Sequence, residues 1–316
     1  MKNRVFMWSC FVMAFFVACQ QAEVENPEDM RMSISASINS PREGKSRYVG
    51  DEPSVVEFAT GDAIGLFVDG DFWEKWEYNG SQWSSGSDEI VYWPDKTESH
   101  TFSAFYPYQP DALFESVRMP SLKTQGGRTI EDISACDFLV TTLSQSYAEG
   151  RVVEFVDDYA FQHVSTLLKL TFKGGGDLAS SVLTHVTIEG EDIVAPSTYS
   201  FEDEKVTLLS DDESDVLSVV GEYSMSSDQV FYLVVNEKLD ANTNVCISVR
   251  YKTGEATYVA RKDDFAGNVF VGGCCQSYTM TIKDSALTLT GSQVSAWGDG
   301  ESLDDIIING EETAAS

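Results

Sequence analysis

Residues 30–38 read Met-Arg-Met-Ser-Ile-Ser-Ala-Ser-Ile. Met30, Met32, Ile34, Ala36 and Ile38 alternate with Arg31, Ser33, Ser35 and Ser37. Successive side chains of a strand point to opposite faces, so strict period two over this length specifies a strand with one buried face. The same signature recurs outward along the chain. Ala63–Val68 (AIGLFV) follows a Thr60-Gly61-Asp62 turn, Thr101–Tyr106 stops at Pro107, and Thr166–Phe172 (TLLKLTF) runs into Gly174-Gly175-Gly176. Further short runs occupy 182–188, 205–209, 230–235, 245–251, 256–260, 277–282, 286–289 and 305–308. They are rich in β-branched and aromatic residues and bounded by Gly, Asp, Asn or Pro, as strands are. The best helical window, Ile130 to Leu143, holds a turn or two. The expected fold is all-β, as sandwiches rather than a doubly wound sheet. No fixed-period repeat argues for a solenoid or propeller.

The chain has 316 residues, a length that suggests two domains. The loop Ser144 to Gly150 breaks the strand pattern, and a new strand follows Asp157-Asp158. The expected division is 30–155 and 156–316. Lys plus Arg number 21 against 51 Asp plus Glu, for a formal charge of -30. A duplex-binding protein needs a basic footprint to neutralise phosphates, so this balance excludes nucleic acid as a partner. Hydrophobic residues make up 42%, enough for a packed core.

The first residues belong to export rather than to the fold. Lys2 and Arg4 precede an apolar stretch from Val5 to Ala18, too short for a membrane span and suited to a secretory signal. Phe16-Val17-Ala18-Cys19 resembles a bacterial lipobox, with Phe16 where Leu is usual. That resemblance implies cleavage between Ala18 and Cys19, acylation of Cys19, and attachment to the outer membrane. Residues 1–18 are then the signal and 19–29 an acidic tether, similar to the surface-export signals of Bacteroidales lipoproteins. A plain secretory signal with an incidental Cys19 is the alternative. Losing 1–18 removes two basic residues and no acidic ones, which takes the charge to -32.

Cys136, Cys246, Cys274 and Cys275 remain. They could pair in three ways or stay as buried thiols acting as small hydrophobes, and the sequence does not decide. Their spacing and the three histidines do not suit zinc. The acidic run Asp211–Asp215 lacks the Gly and terminal Glu of a calcium loop and reads as a solvated loop. No catalytic motif is present, and neither enzyme activity, metal nor cofactor is expected. His163, after an aromatic run, reads as a core or strand-edge histidine. Aromatics crowd Phe72 to Trp93 around an Asn79-Gly80 hairpin turn. With Trp76 and Tyr78 read on opposite faces, one of them is exposed. Trp73 and Trp76 are thus candidates to stack on a sugar or partner, against the alternative of core packing.

Several segments together resemble the fimbrillin-like family of Bacteroidales, the pilin and accessory subunits of type V pili. They are Phe58–Val68 (FATGDAIGLFV), Trp93-Pro94 with Phe102–Tyr108 (FSAFYPY), Asp137–Thr142 (DFLVTT) with Phe161-Gln162-His163, and Phe265-Ala266-Gly267 with Tyr278–Ile282 and Trp297-Gly298. The resemblance spans roughly 55–300 and implies two tandem transthyretin-like β-sandwiches on an exported lipoprotein that supports adhesion. Polymerising members lose their N-terminal strand after a basic residue, and the opened groove accepts a strand from the next subunit. Removing an inner strand leaves apolar pockets and unpaired backbone, costly until refilled. The counterpart here is the strand at 30–38, with Arg42, Lys45 and Arg47 as candidate cleavage sites and Leu303–Ile308 as a candidate donor. The partners implied are other pilus subunits or a second copy. The alternative is a permanent first strand on an anchoring subunit, or on a non-polymerising module that binds host protein or glycan.

Overall fold

The alternation in residues 30–38 becomes burial in the fold: Met32, Ile34 and Ile38 are inside, while Arg31 and Ser33 are exposed. The structure, a computed structural model, describes residues 30–39, 48–49, 52–53, 57–86, 90–128, 130–209, 214–238, 245–262 and 270–297. Strands dominate, and the one α-helix among the described residues is the five-residue α1 (Ile130–Ser134). The fold is all-β.

A six-stranded antiparallel sheet runs in the order β11 (Gln162–His163), β9 (Leu139–Ser146), β7 (Ser99–Tyr106), β4 (Ala63–Val68), β5 (Asp71–Tyr78) and β6 (Trp83–Ser85). Opposite one face lies a thin layer in which β1 (Ser33–Ala36) pairs in parallel with β10 (Val152–Phe155). Met32, Ile34 and Ile38 from that layer share one core with Ile64, Leu66 and Val68 of β4. The other face of β4 is covered as well. Phe67 packs with Phe105, Val117, Met119, Tyr199 and Phe201 in a second cluster. Part of that cover comes from further along the chain: β8 (Val117–Arg118) pairs with β14 (Ser197–Ser200), and β14 with β15 (Lys205–Leu208). A strand buried on both faces must be apolar at consecutive positions, as AIGLFV is. A short hairpin of β2 (Tyr48–Val49) and β3 (Glu52–Pro53) stands apart.

The remaining strands form an eight-stranded sheet: β16 (Ser214–Ser224), β13 (Ser181–Glu191), β18 (Val245–Thr253), β19 (Ala256–Lys262), β21 (Ala286–Ala296), β20 (Cys274–Lys283), β12 (Thr166–Lys173) and β17 (Gln229–Val235). β19 and β21 meet at a single residue pair, Arg261 with Ala286, so the eight strands divide into two groups of four. Leu183, Val186 and Ile188 from one group and Leu170, Phe172, Phe231 and Met280 from the other are fully buried in one core. The helical window at 130–143 holds only α1, because Leu139 onward is β9. The strand read at 286–289 continues to Ala296, and that read at 305–308 lies outside the described residues.

None of the four described cysteines forms a disulfide: Cys136, Cys274 and Cys275 are buried and Cys246 half-buried. Burial, aided by Asp137 and Asp132, pushes the Cys136 thiol up to about 11, which leaves it protonated and inert.

Gly65 of β4 faces Phe105 across the sheet, and a Cβ at this position would overlap the Phe105 ring. Gly65→Ala is therefore expected to destabilise by about 1–3 kcal/mol through overpacking. Combining it with Phe105→Leu should recover part of that loss, as urea unfolding of the single and double variants will show.

Candidate functional site

β1 is paired along four residues and bonded at both ends, where Phe161 also donates to Ser37 O at 2.9 Å. Four residue pairs, Ser33 with Val152 to Ala36 with Phe155, join it to β10. Beyond these, Met32 donates to Val91 O and Trp93 to Met30 O, both at 2.9 Å. At the other end Ser37 donates to Phe155 O at 2.9 Å and Asn39 to Phe161 O at 2.7 Å. What fixes the strand is its apolar face. Burying Met32, Ile34 and Ile38 contributes on the order of 5–9 kcal/mol at about 1.5–3 kcal/mol each. Alongside β1 a cleft of about 770 Å³ separates it from β6, lined by Ser33, Ser35, Tyr78, Trp83, Ser84 and Ile90. Trp76 and Trp83 belong to the core that receives the apolar side chains of β1. Removing β1 would extend the cleft into a groove with an aromatic floor.

The aromatic residues fall differently from the expectation. Trp76 is 3% exposed and packs in the core, although it borders the cleft beside β1. Trp76 and Tyr78 both pack into the same core, because residues two apart on a strand share a face. Trp83 is buried too, against Phe58 and Tyr78 at ring separations of 5.0 and 5.2 Å. Trp73 stands on β5, its side chain outside the described part of the structure. Ala18, Cys19, Arg42, Lys45 and Arg47 also lie outside the described residues. Of the acidic run, Asp215 accepts the Val194 N–H at 3.0 Å, and 211–213 lie outside the described residues.

The motif residues are structural devices. Asp62 follows the turn that starts β4, where its carboxylate accepts the Ala59 N–H at 2.6 Å and the Tyr106 hydroxyl at 3.2 Å. Trp93 donates its indole N–H to Arg151 O at 2.9 Å and packs edge-on against Phe102. Three motif positions distant in the chain meet in one buried cluster. His163 Nδ1 lies 3.0 Å from Asp137 Oδ1, and the His163 ring stacks on Trp297 at 4.3 Å and 5°. Asp137 is wholly buried, and its Oδ2 has no hydrogen-bond partner among the described residues. Asp137, His163 and Trp297 lie far apart in the chain, and nothing local in the sequence brings them together.

A second histidine is tied to two acids. His100 Nδ1 lies 2.6 Å from Asp69 Oδ2 and Nε2 lies 3.2 Å from Asp95 Oδ2. Burial acts to lower the His100 pKa, but the bonds and charges of Asp69 and Asp95 outweigh it and raise it above 6.5. Burial likewise acts to raise Asp69, and bonds from His100 and the Thr101 N–H outweigh it, so its pKa falls below 3.8.

The model of the fimbrillin-like family matches residues 47–297, and the chain belongs to that family. A candidate cell adhesion protein from Bacteroides ovatus superposes with a TM-score of 0.59 at 15% identity, covering 84% of this chain and 97% of its own. One from Bacteroides uniformis gives 0.59 at 18% identity, covering 84% and 99%. At such identities the likeness is one of fold. The fimbrial anchor protein Mfa2 from Porphyromonas gingivalis aligns at a TM-score of 0.39 and 10% identity, covering 84% and 97%. No curated protein matches the chain in sequence. Among the described residues no helix is long and apolar enough to cross a membrane.

Two tests follow from these clusters. A raised histidine pKa contributes stability below the unfolded value, lost as pH rises through the folded one. A lowered carboxylate pKa contributes above the unfolded value, lost as pH falls through the folded one. The stability advantage over His100→Gln should thus be fullest between 3.8 and 6.5, and urea midpoints should show it shrinking at higher pH. His163→Ala, which leaves Asp137 buried with no histidine partner, should cost at least about 1–3 kcal/mol. The pair Asp137→Leu with His163→Phe should cost less than the summed single changes in a double-mutant cycle.

Proposed function

We propose that this chain is a surface lipoprotein anchored in the outer membrane through Cys19, and a structural or accessory subunit of a type V pilus that supports adhesion. In this reading the six-stranded and the eight-stranded sheets mark tandem transthyretin-like sandwiches, near 30–155 and 156–316. Assembly proceeds by strand exchange: β1 leaves after cleavage at Arg42, Lys45 or Arg47, and a strand from another subunit or a second copy takes its place. The observation that carries this is β1 itself. The segment 30–38 around it buries Met32, Ile34 and Ile38 and is tied by a four-pair ladder and by bonds at both ends. An incoming strand with apolar residues at alternate positions would recover both the pockets and the backbone bonds. The buried Trp76 favours this over a glycan-stacking module, for which Trp73 is the remaining candidate.

N-terminal sequencing of material sheared from the cell surface tests the proposal. A chain starting between Lys45 and Tyr48 is expected for a polymerising subunit. An acylated Cys19 on every copy excludes a cleaved stalk subunit and leaves an anchoring or non-polymerising role.

A further inference from the structure

β17 ends its sheet, pairing with β12 on one side only among the named strands. Its outer edge is nevertheless closed, by residues 122–128 from the earlier half of the chain. The Gln125 side chain, itself 8% exposed, acts as a substitute peptide unit: it accepts the Val234 N–H at 2.8 Å and donates to Val234 O at 2.7 Å. Gly127 O accepts the Tyr232 N–H at 2.9 Å, and Arg128 donates to Val230 O at 2.7 Å. Alternate residues 230, 232 and 234, whose backbone groups face one edge, are thus all engaged by a single segment. The Arg128 guanidinium also lies over Tyr223 of β16 and Phe231 of β17, at 5.0 and 4.8 Å. At Gly127 (φ +71) a Cβ would press on both Val219 of β16 and Leu233 of β17. The segment therefore lies along the seam between the two end strands of the eight-stranded sheet. Its anchor is local: the Arg128 N–H bonds Asp132 on α1 at 3.0 Å.

We propose that residues 122–128 are a built-in surrogate strand guarding the β17 edge, and that a second copy of this chain would pair there if the segment were displaced. The inference rests on the strand-exchange reading for one consequence only, that exchange is confined to the groove beneath β1. The physical reason for a guard is general. An uncovered strand of seven residues, QVFYLVV, with a row of unpaired backbone groups is a template for edge-to-edge association. A side-chain amide meets the same hydrogen-bonding need as a neighbouring strand while offering no further edge.

The test uses the secreted chain with residues 30–38 retained, so that the groove under β1 stays filled. Gln125→Glu replaces the amide donor by an oxygen facing Val234 O, and Arg128→Lys removes the planar fork while keeping the charge. Hydrogen–deuterium exchange of the peptide covering 229–235 is read beside light scattering over a concentration series. Gln125→Glu should speed exchange at the Tyr232 and Val234 amides roughly tenfold or more. It should also produce concentration-dependent dimers or larger species absent from the parent. Arg128→Lys, the milder change, should act in the same direction. Exchange no faster than in the parent overturns the edge contact. Fast exchange in a protein that stays monomeric overturns the guard. Neither result bears on cleavage near Arg42, Lys45 and Arg47, and an intact N-terminus on surface material would leave the guard standing.

Discussion

A strand at the border of a sheet carries backbone groups that must find partners, and meeting that demand organises this molecule. At β17 the partners are a glutamine amide, a glycine carbonyl and an arginine. At β1 they come from Val91 and Trp93 on one side and from β10 on the other. Between β19 and β21 a single pair closes the gap between two groups of four strands. Each solution uses residues from elsewhere in the chain, so the sheets are knitted together rather than set side by side.

The residues that carry the family resemblance act through packing rather than chemistry. Asp62 secures the turn into β4, Gly65 makes room for Phe105, and Asp137, His163 and Trp297 form one buried cluster. β4 lies at the centre of this arrangement, since its two faces face two separate cores.

Much of the fold was legible in the sequence, and the gaps have physical causes. Residues 30–38 announced a one-faced strand because only one of their faces is buried, and AIGLFV read as apolar throughout because both of its faces are. β21 was cut short in the reading because Gly291-Ser292-Gln293 is polar and exposed, although the ladder to β20 continues through it. The window from Ile130 to Leu143 holds the turn or two expected of it, as α1, while Leu139, Val140 and Leu143 are apolar for the sake of a strand. The candidate site was half visible. Alternation located β1, but its parallel partner β10 lies far along the chain, and no local pattern names a pairing of that kind. Gln125 and Arg128 sit in a stretch that looks like ordinary loop, and their role exists only once β17 is beside them. Aromatic density alone does not distinguish a floor from a surface, and Trp76 is buried yet borders the cleft.

The distances along the chain between these partners also bear on how the protein is made. Asn39 meets Gln162 across 123 positions and Val234 meets Gln125 across 109. A chain wired in this way cannot complete either core as it emerges from a ribosome or a secretion channel, because the closing residues arrive late. Topologies dominated by such separations fold slowly, on the scale of about milliseconds to seconds. The core that contains Trp297 can therefore close only once nearly all of the strands are available.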